Sequence, residues 1–284
     1  MQTVRSLTDD AVARFADCSD PRLRRIMESL VRHLHDFARE VELTPDEWMA
    51  GIKFLTAAGH KSDALRQEVI LLSDTLGLSS MVDAINNATP GGATESSVLG
   101  PFFTDDAPDI AHDQSIASPG KGKPLLVCGT VRDTHGKPIG DAVIDVWEND
   151  ESGLYDTQYA DRSEPDCRGR LRTAADGSFR FKAVLPTSYS IPADGPVGVM
   201  MSLSARHTYR PGHLHFKIAA RGYRPLTTAI FVKGDPYLET DAVFGVKPSL
   251  ISEFPRHESA EDAKRYTMTA PFHTLERDFV LAPA

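Results

Sequence analysis

His213 and His215 stand two residues apart in Arg210-Pro211-Gly212-His213-Leu214-His215-Phe216-Lys217-Ile218. The run alternates in character as an extended strand does. Both imidazoles therefore point to one side, and Leu214, Phe216 and Ile218 to the other. Two imidazoles on one face can share a metal ion. A pair of structural histidines is the competing reading, and the spacing alone leaves both open. Pro211-Gly212 breaks the chain just before and starts the strand abruptly.

Two tyrosines are the next candidates. Tyr155 lies in Gly153-Leu154-Tyr155 and Tyr189 in Leu185-Pro186-Thr187-Ser188-Tyr189. Each follows an expected strand and stands where a long loop begins. A half-buried tyrosine at such a rim is common, and by spacing alone each is rim packing.

The elements that must position these residues change character near residue 100. Helical spacing of Leu23, Ile26, Met27, Leu30, Val31, Leu34 and Phe37 predicts a helix over Pro21 to Val41. Capping residues predict one beginning at Thr8. Thr44-Pro45-Asp46-Glu47 is a helix start, with Gly59 as the stop. Further helices are expected over about 62–76 and 80–87. From Leu125 the pattern is β: strands over Leu125–Val131, Ala142–Trp147, Ser178–Val184 after an Ala175-Asp176-Gly177 turn, Thr227–Val232 and Phe279–Leu281. The fold class expected is α+β, an N-terminal helical domain over 1–100 followed by an antiparallel β-sandwich over 101–284. Residues 148–170 and 187–205 read as long loops, a length uncommon without a function.

Composition narrows the partners. The chain has 284 residues, 31 Lys plus Arg against 40 Asp plus Glu, and a formal charge of −9. That balance argues against nucleic acid or an anionic membrane. Cys18, Cys128 and Cys167 are too few and too scattered for a disulfide framework. No apolar run approaches the ~20 residues that span a bilayer, and the N-terminus lacks a signal-peptide core. A cytoplasmic protein is the expectation.

Taken together, Gly153-Leu154-Tyr155, Leu185-Pro186-Thr187-Ser188-Tyr189 and Arg210-Pro211-Gly212-His213-Leu214-His215-Phe216 resemble the ligand pattern of the intradiol ring-cleaving dioxygenases. The likeness runs from about Leu65 to Phe254 and includes Val98-Leu99-Gly100-Pro101-Phe102. Within the family, Leu71-Leu72-Ser73-Asp74, Asp235-Pro236-Tyr237-Leu238 and Thr240 to Lys247 are most similar to hydroxyquinol 1,2-dioxygenases, with catechol 1,2-dioxygenases next. The resemblance implies one non-haem Fe(III) per subunit, held by Tyr155, Tyr189, His213 and His215. It implies a small aromatic diol or triol and O2 as substrates. Tyr189 would leave the metal and take a substrate proton, and Arg210 would stand beside the substrate. Leu71, Asp74, Val98, Leu99, Gly100, Pro101 and Phe102 match substrate-pocket positions, with Asp74 suited to accept a hydrogen bond from a third ring hydroxyl. Family members are homodimers through the N-terminal helices, with a phospholipid between subunits.

The chemistry is consistent with that ligand set. Fe(III) is a hard ion that anionic oxygen suits, and a cation stabilises a phenolate whose free pKa is about 10. One departure stands out. The family carries a polar residue after Leu-Thr-Thr, whereas here Leu226-Thr227-Thr228 is followed by Ala229. Tyr159 is the decoy for Tyr155. His207 is a candidate neighbour of the site, His33 and His35 read as solvated or interfacial, and His60, His112, His135, His257 and His273 as loop residues. Two other classes compete: a β-sandwich binding module without a metal, and a zinc hydrolase using His-x-His with a distant third histidine.

Overall fold

The computed structural model describes residues 4–63, 66–87 and 91–284. By contact grouping the chain forms two compact units, Met1–Ala57 and Ala58–Ala284.

The first unit is helical. Helix α1 spans Val4–Ala13, α2 Pro21–Glu40, and α3 starts at Pro45 and runs on to Lys61. Asp20 caps α2, its carboxylate accepting from the amides of Arg22 and Leu23 at 2.8 and 3.0 Å, with Pro21 at the first turn. Thr44 and Glu47 form a reciprocal cap on α3: the Thr44 amide donates to Glu47 Oε2 at 2.9 Å, and the Glu47 amide donates to Thr44 Oγ1 at 3.3 Å. Thr8 Oγ1 lies 3.0 Å from His35 Nδ1 and joins α1 to α2. The apolar stripe of α2 stays open: Leu23, Ile26, Leu30, Leu34 and Phe37 are all about half exposed in the single chain.

The second unit continues with α4 (Glu68–Thr75) and α5 (Leu78–Asn86). There follow β1 (Pro124–Asp133), β2 (Val143–Trp147), β3 (Arg168–Arg172), β4 (Ser178–Val184), β5 (Tyr189–Ser190), α6 (Pro196–Leu203), β6 (Tyr209–Arg210), β7 (His213–Ala219) and β8 (Leu226–Val232). The chain closes with β9 (Ile251–Ser252), β10 (Arg256–His257), α7 (Ala260–Tyr266), β11 (Phe272–Glu276) and β12 (Phe279–Leu281). One five-stranded sheet has the order β10-β11-β1-β12 with β4 on β1; the other is β3-β2-β7-β8-β9; β5 and β6 pair apart from both. The core between the sheets takes Leu125, Val127, Phe179, Phe181, Leu275 and Phe279 from one, and Ile144, Val146, Leu214, Phe216, Ile218 and Ile230 from the other. The α+β expectation with a helical N-terminus and a sheet sandwich holds. Most pairing is antiparallel, but β1 is parallel to β11 and β12, and β8 to β9.

Several local expectations are corrected. Helix α1 starts at Val4, before Thr8, and α3 continues past Gly59, which sits in helical backbone with open space around it. Helix α4 begins only at Glu68; residues 64 and 65 of the expected helix lie outside the described residues. The loop 148–170 ends in β3, a charged run held extended by pairing with β2. The loop 187–205 contains β5 and α6, and α7, β9, β10 and β11 were not visible as patterns. His60 is in α3, His257 in β10 and His273 in β11, not in loops. Among the described residues, no helix is long and apolar enough to cross a membrane.

Candidate metal centre

Strand β7 buries Leu214, Phe216 and Ile218 in the sandwich core. Alternation therefore turns His213 and His215 to the outer face of the sheet. Register does the rest. His215 pairs with Ala229 of β8 on one side and with Trp147 of β2 on the other, and Trp147 pairs with Arg168 of β3. Directly paired residues share a face, so Ala229, His215, Trp147 and Arg168 form one row. The Trp147 ring lies flat against His215, with centroids 4.7 Å apart and planes 4° apart.

Onto this row the two loops bring the tyrosines. His213 Nε2 is 2.9 Å from His215 Nε2, and Tyr155 Oη is 3.5 Å from His213 Nε2. The Tyr189 ring lies 5.7 Å from His213 and edge-on to Tyr155 at 5.5 Å. All four side chains are almost wholly buried. Gly153 makes the closure possible: its φ is +77°, and a Cβ there would lie 3.1 Å from Tyr189 Cβ. His213 Nδ1, 2.7 Å from the Pro211 carbonyl oxygen, donates to it. That fixes the tautomer and turns the Nε2 lone pair into the cluster.

Comparison with known proteins agrees with this arrangement. Residues 98–283 match the family described as Dioxygenase, and residues 20–94 the Catechol dioxygenase N terminus. An intradiol ring-cleavage dioxygenase of Aspergillus niger, hqdA, is 47% identical over 98% of this chain and 84% of its own. The chain belongs to the intradiol ring-cleavage dioxygenase family. The 6-chlorohydroxyquinol 1,2-dioxygenase of Cupriavidus pinatubonensis is 46% identical over 98% of this chain and 97% of its own. The crystal structure of hydroxyquinol 1,2-dioxygenase from Pseudomonas putida DLL-E4 superposes with a TM-score of 0.91, at 47% identity over 99% of both chains.

Enzymes of this family generally depend on non-haem iron, and the cluster fits an ion of that kind. Two nitrogens each about 2.1 Å from one ion and at right angles to it stand roughly 3.0 Å apart, close to the 2.9 Å between the two Nε2 atoms. Burial, then the charge of Arg210, pushes the His213 pKa down to about 3. Burial, then His213 and Arg210, holds His215 well below its ordinary range. Both rings are neutral at pH 7, as a ligand must be. Burial raises both tyrosine pKa values and the charge of Arg210 opposes it at both; Tyr155 rises far because Tyr189 adds to the shift, and Tyr189 rises less because hydrogen bonds with Tyr155 and Arg210 oppose it. The bare pocket thus disfavours phenolate, and a cation in it would reverse that preference. Among the described residues no group of three or more His, Cys, Asp or Glu could hold a metal ion. Among them no third histidine joins His213 and His215 as the zinc reading requires, and the donors beside the pair are the phenols.

Arg210 is the charged neighbour. Its Nη1 lies 3.4 Å from Tyr189 Oη and 3.2 Å from His213 Nε2. Its Nε and Nη2 grip Asp241 at 3.0 and 3.3 Å, with both side chains about 2% exposed. Burial opposes the guanidinium charge, but Asp241 more than restores it. Gly245 leaves room for the fork, since a Cβ there would lie 2.8 Å from Arg210 Nη2. Asp74 is buried rather than on the helix surface. Burial raises its pKa, against a hydrogen bond from Ser79 and the charge of Arg210.

The other expected pocket residues separate. Phe102 stacks on Tyr155, with centroids 4.3 Å apart and planes at 16°. Gly100 has φ +72°, and a Cβ there would sit 3.8 Å from His215 Nε2. Leu71, Pro101 and Phe102 line a cavity of about 310 Å³ together with the polar side chains of Arg66, Glu68, Gln158 and Asp194. Val98 is buried and Leu99 is 42% exposed. Ala229 faces His215, whose Nδ1 has no hydrogen-bond partner. Tyr159 Oη donates to Asp150 at 2.6 Å, apart from the cluster. His207 accepts from the Tyr209 amide and lies against Tyr237, away from His213. Trp147, Asp241 and the Asp156–Arg168 pair were missed. Asp241 sat inside a segment noted only for its resemblance, and nothing local marks a partner 31 residues away.

Proposed function

We propose that this enzyme cleaves hydroxyquinol (1,2,4-trihydroxybenzene) between the two adjacent hydroxyl-bearing carbons with O2, in the breakdown of aromatic compounds. The product is 3-hydroxy-cis,cis-muconate, the enol form of maleylacetate. Both oxygen atoms of O2 enter the two new carboxylates, so no external reductant is needed. The convergence of two neutral imidazoles and two buried phenols on one point carries this reading. The hydroxyquinol dioxygenases at 46–47% identity over nearly the whole chain support the substrate.

His213, His215, Tyr155 and Tyr189 would hold one Fe(III) per subunit. When bound, that ion supplies a Lewis acid that withdraws charge from a chelated diol and primes the ring carbon for O2. The protein does the rest. Held as phenolate by that ion, Tyr189 would receive a substrate proton at its phenol oxygen, with Arg210 Nη1 3.4 Å away. Arg210, fixed by Asp241, presents a cation where oxyanion charge develops. Leu71, Val98, Leu99, Gly100, Pro101 and Phe102 bound the ring and exclude water, and Phe102 and Gly100 do so in contact with Tyr155 and His215. Asp74 accepts the hydrogen bond of the third hydroxyl.

The remaining features follow the same reading. The 1–100 helices serve dimerisation, with the exposed α2 stripe covered by a second copy and a phospholipid; 101–284 carries catalysis. The free thiols Cys18, Cys128 and Cys167 suit a cytoplasmic enzyme. The test is the visible spectrum of the iron-loaded protein before and after anaerobic hydroxyquinol. A tyrosinate-to-iron band that shifts on addition is expected. A colourless iron-treated protein leaves Tyr155 and Tyr189 as buried packing residues and overturns the metal reading.

A further inference from the structure

Arg168 ends the row that begins at Ala229 and passes through His215 and Trp147. It is 1% exposed, with Arg210 one of two buried arginines among the described residues, and no step above uses it. Each of its nitrogens is spoken for. Nε donates to Asp156 Oδ2 at 2.9 Å, and Nη2 donates to Asp156 Oδ1. Nη1 donates to the Phe102 carbonyl at 3.1 Å and to Thr104 Oγ1 at 2.7 Å. A guanidinium is planar and presents its donors in a rigid fork, so fixing one edge fixes the direction of the other.

Both ends of that fork lead to Tyr155. Asp156 is the next residue in the chain, and its carboxylate also accepts from Arg162 Nε at 3.0 Å and from the Thr157 and Asp166 amides. Phe102 is the ring stacked on the Tyr155 phenol. A single buried cation thus ties down the backbone that carries Tyr155 and the aromatic face that it rests on. On the strand register it also stands opposite Trp147, whose ring packs against His215. Tyr189 is held differently: it sits on a two-residue strand with its hydroxyl 3.4 Å from Arg210 Nη1, and the neighbouring Ser188 Oγ donates to Asp235 Oδ2 at 2.6 Å.

We propose that Arg168 is a positioning residue that clamps Tyr155 in place beside His213 and His215. This rests on the metal reading given above.

The test compares iron-loaded wild type with Arg168→Lys, Arg168→Met and, as control, Arg170→Met. Arg170 is on the same strand, and its own ion pair, with Asp145 at 2.6 Å, makes no contact with Asp156 or Phe102. The readouts are iron per chain, the tyrosinate absorption band and turnover of hydroxyquinol, each per folded chain. The expected result for Arg168→Met is a displaced, weakened band and kcat lower by about 10- to 100-fold, the scale set by misplacing a reacting group by an ångström or less. Arg168→Lys keeps the charge without the fork and falls between. Arg170→Met keeps the wild-type band and rate. A wild-type band and rate in Arg168→Met overturn the clamp, as does an equal loss in Arg170→Met. If Arg168→Met does not fold, Arg168→Lys decides alone, an unmoved band refuting and a displaced band supporting. A wild type that takes up no iron overturns the metal reading and the clamp with it. A coloured wild type with an unmoved Arg168 series overturns the clamp only.

Discussion

Asp241→Ala is the sharpest perturbation of the site that leaves every candidate ligand in place. The Arg210 and Asp241 side chains are each about 2% exposed and joined by two bonds of 3.0 and 3.3 Å. Removing the carboxylate strands a guanidinium out of water. It also takes the acceptor from the Val243 and Gly245 amides, which donate to Asp241 at 3.3 and 2.9 Å. Breaking one half of a buried pair costs about 3–5 kcal/mol. For a unit of this size each kcal/mol moves Tm by about 2–4 °C, so Tm should fall by roughly 6–20 °C. The double variant Arg210→Met/Asp241→Leu removes both charges and should recover most of that loss while staying inactive. The assay is thermal unfolding with turnover measured in parallel. The pH sign is fixed as well. Burial opposes the Asp241 charge, but Arg210 draws its pKa below the ordinary carboxylate value. Its contribution is therefore present above about pH 4 and is lost as pH falls below that, and Asp241→Ala should flatten that acid limb. A Tm drop below about 3 °C, or a double variant no more stable than the single one, would refute the argument that the pair is a matched buried charge.

Other expectations follow from the same geometry. Asp74→Ala should lower kcat/KM for hydroxyquinol more than for catechol, by about tenfold or more in the ratio; an unchanged ratio removes Asp74 from substrate recognition. Tyr189→Phe should still bind iron but turn over at least about tenfold more slowly, and wild-type turnover would end its role as proton acceptor. Gly153→Ala should destabilise by about 1–2 kcal/mol, the cost of a side chain at positive φ, and should disturb the tyrosinate band; a neutral substitution would mean that the loop relaxes away from Tyr189. The metal-free protein should lose stability as pH falls below about 6.5. The unfolded chain takes up protons there that buried His213 and His215 refuse until far lower pH. Each contributes about 2 kcal/mol between pH 7 and 5, and a flat Tm over that range would contradict the neutral histidine pair.

Ala229 shows how the register sharpens a sequence observation. The departure from a polar residue was visible in Leu226-Thr227-Thr228-Ala229, but only the pairing with His215 shows what it affects. The methyl group lies beside an imidazole whose Nδ1 has no partner. That leaves the His215 tautomer set by whatever its Nε2 meets, unlike His213, which the Pro211 carbonyl locks.

What the chain determined alone is local. Caps and apolar spacing placed α2 and α3 within a few residues, because they depend on groups one turn apart. β-rich runs between turns placed β1, β2, β8 and β12, while alternation placed β4 and β7 and turned His213 and His215 to one side. The short strands β3, β9, β10 and β11 escaped because their extended state comes from pairing with distant partners rather than from their own composition. Tyr155 and Tyr189 had nothing local to separate them from ordinary rim tyrosines; only resemblance singled them out, and only folding brings them to the histidines. Asp241 under Arg210, Trp147 against His215 and Arg168 behind Tyr155 were decided by the tertiary structure alone. Each is an interaction between residues tens of positions apart, and its energy exists only once the sheet register has brought both side chains out of water to the same point.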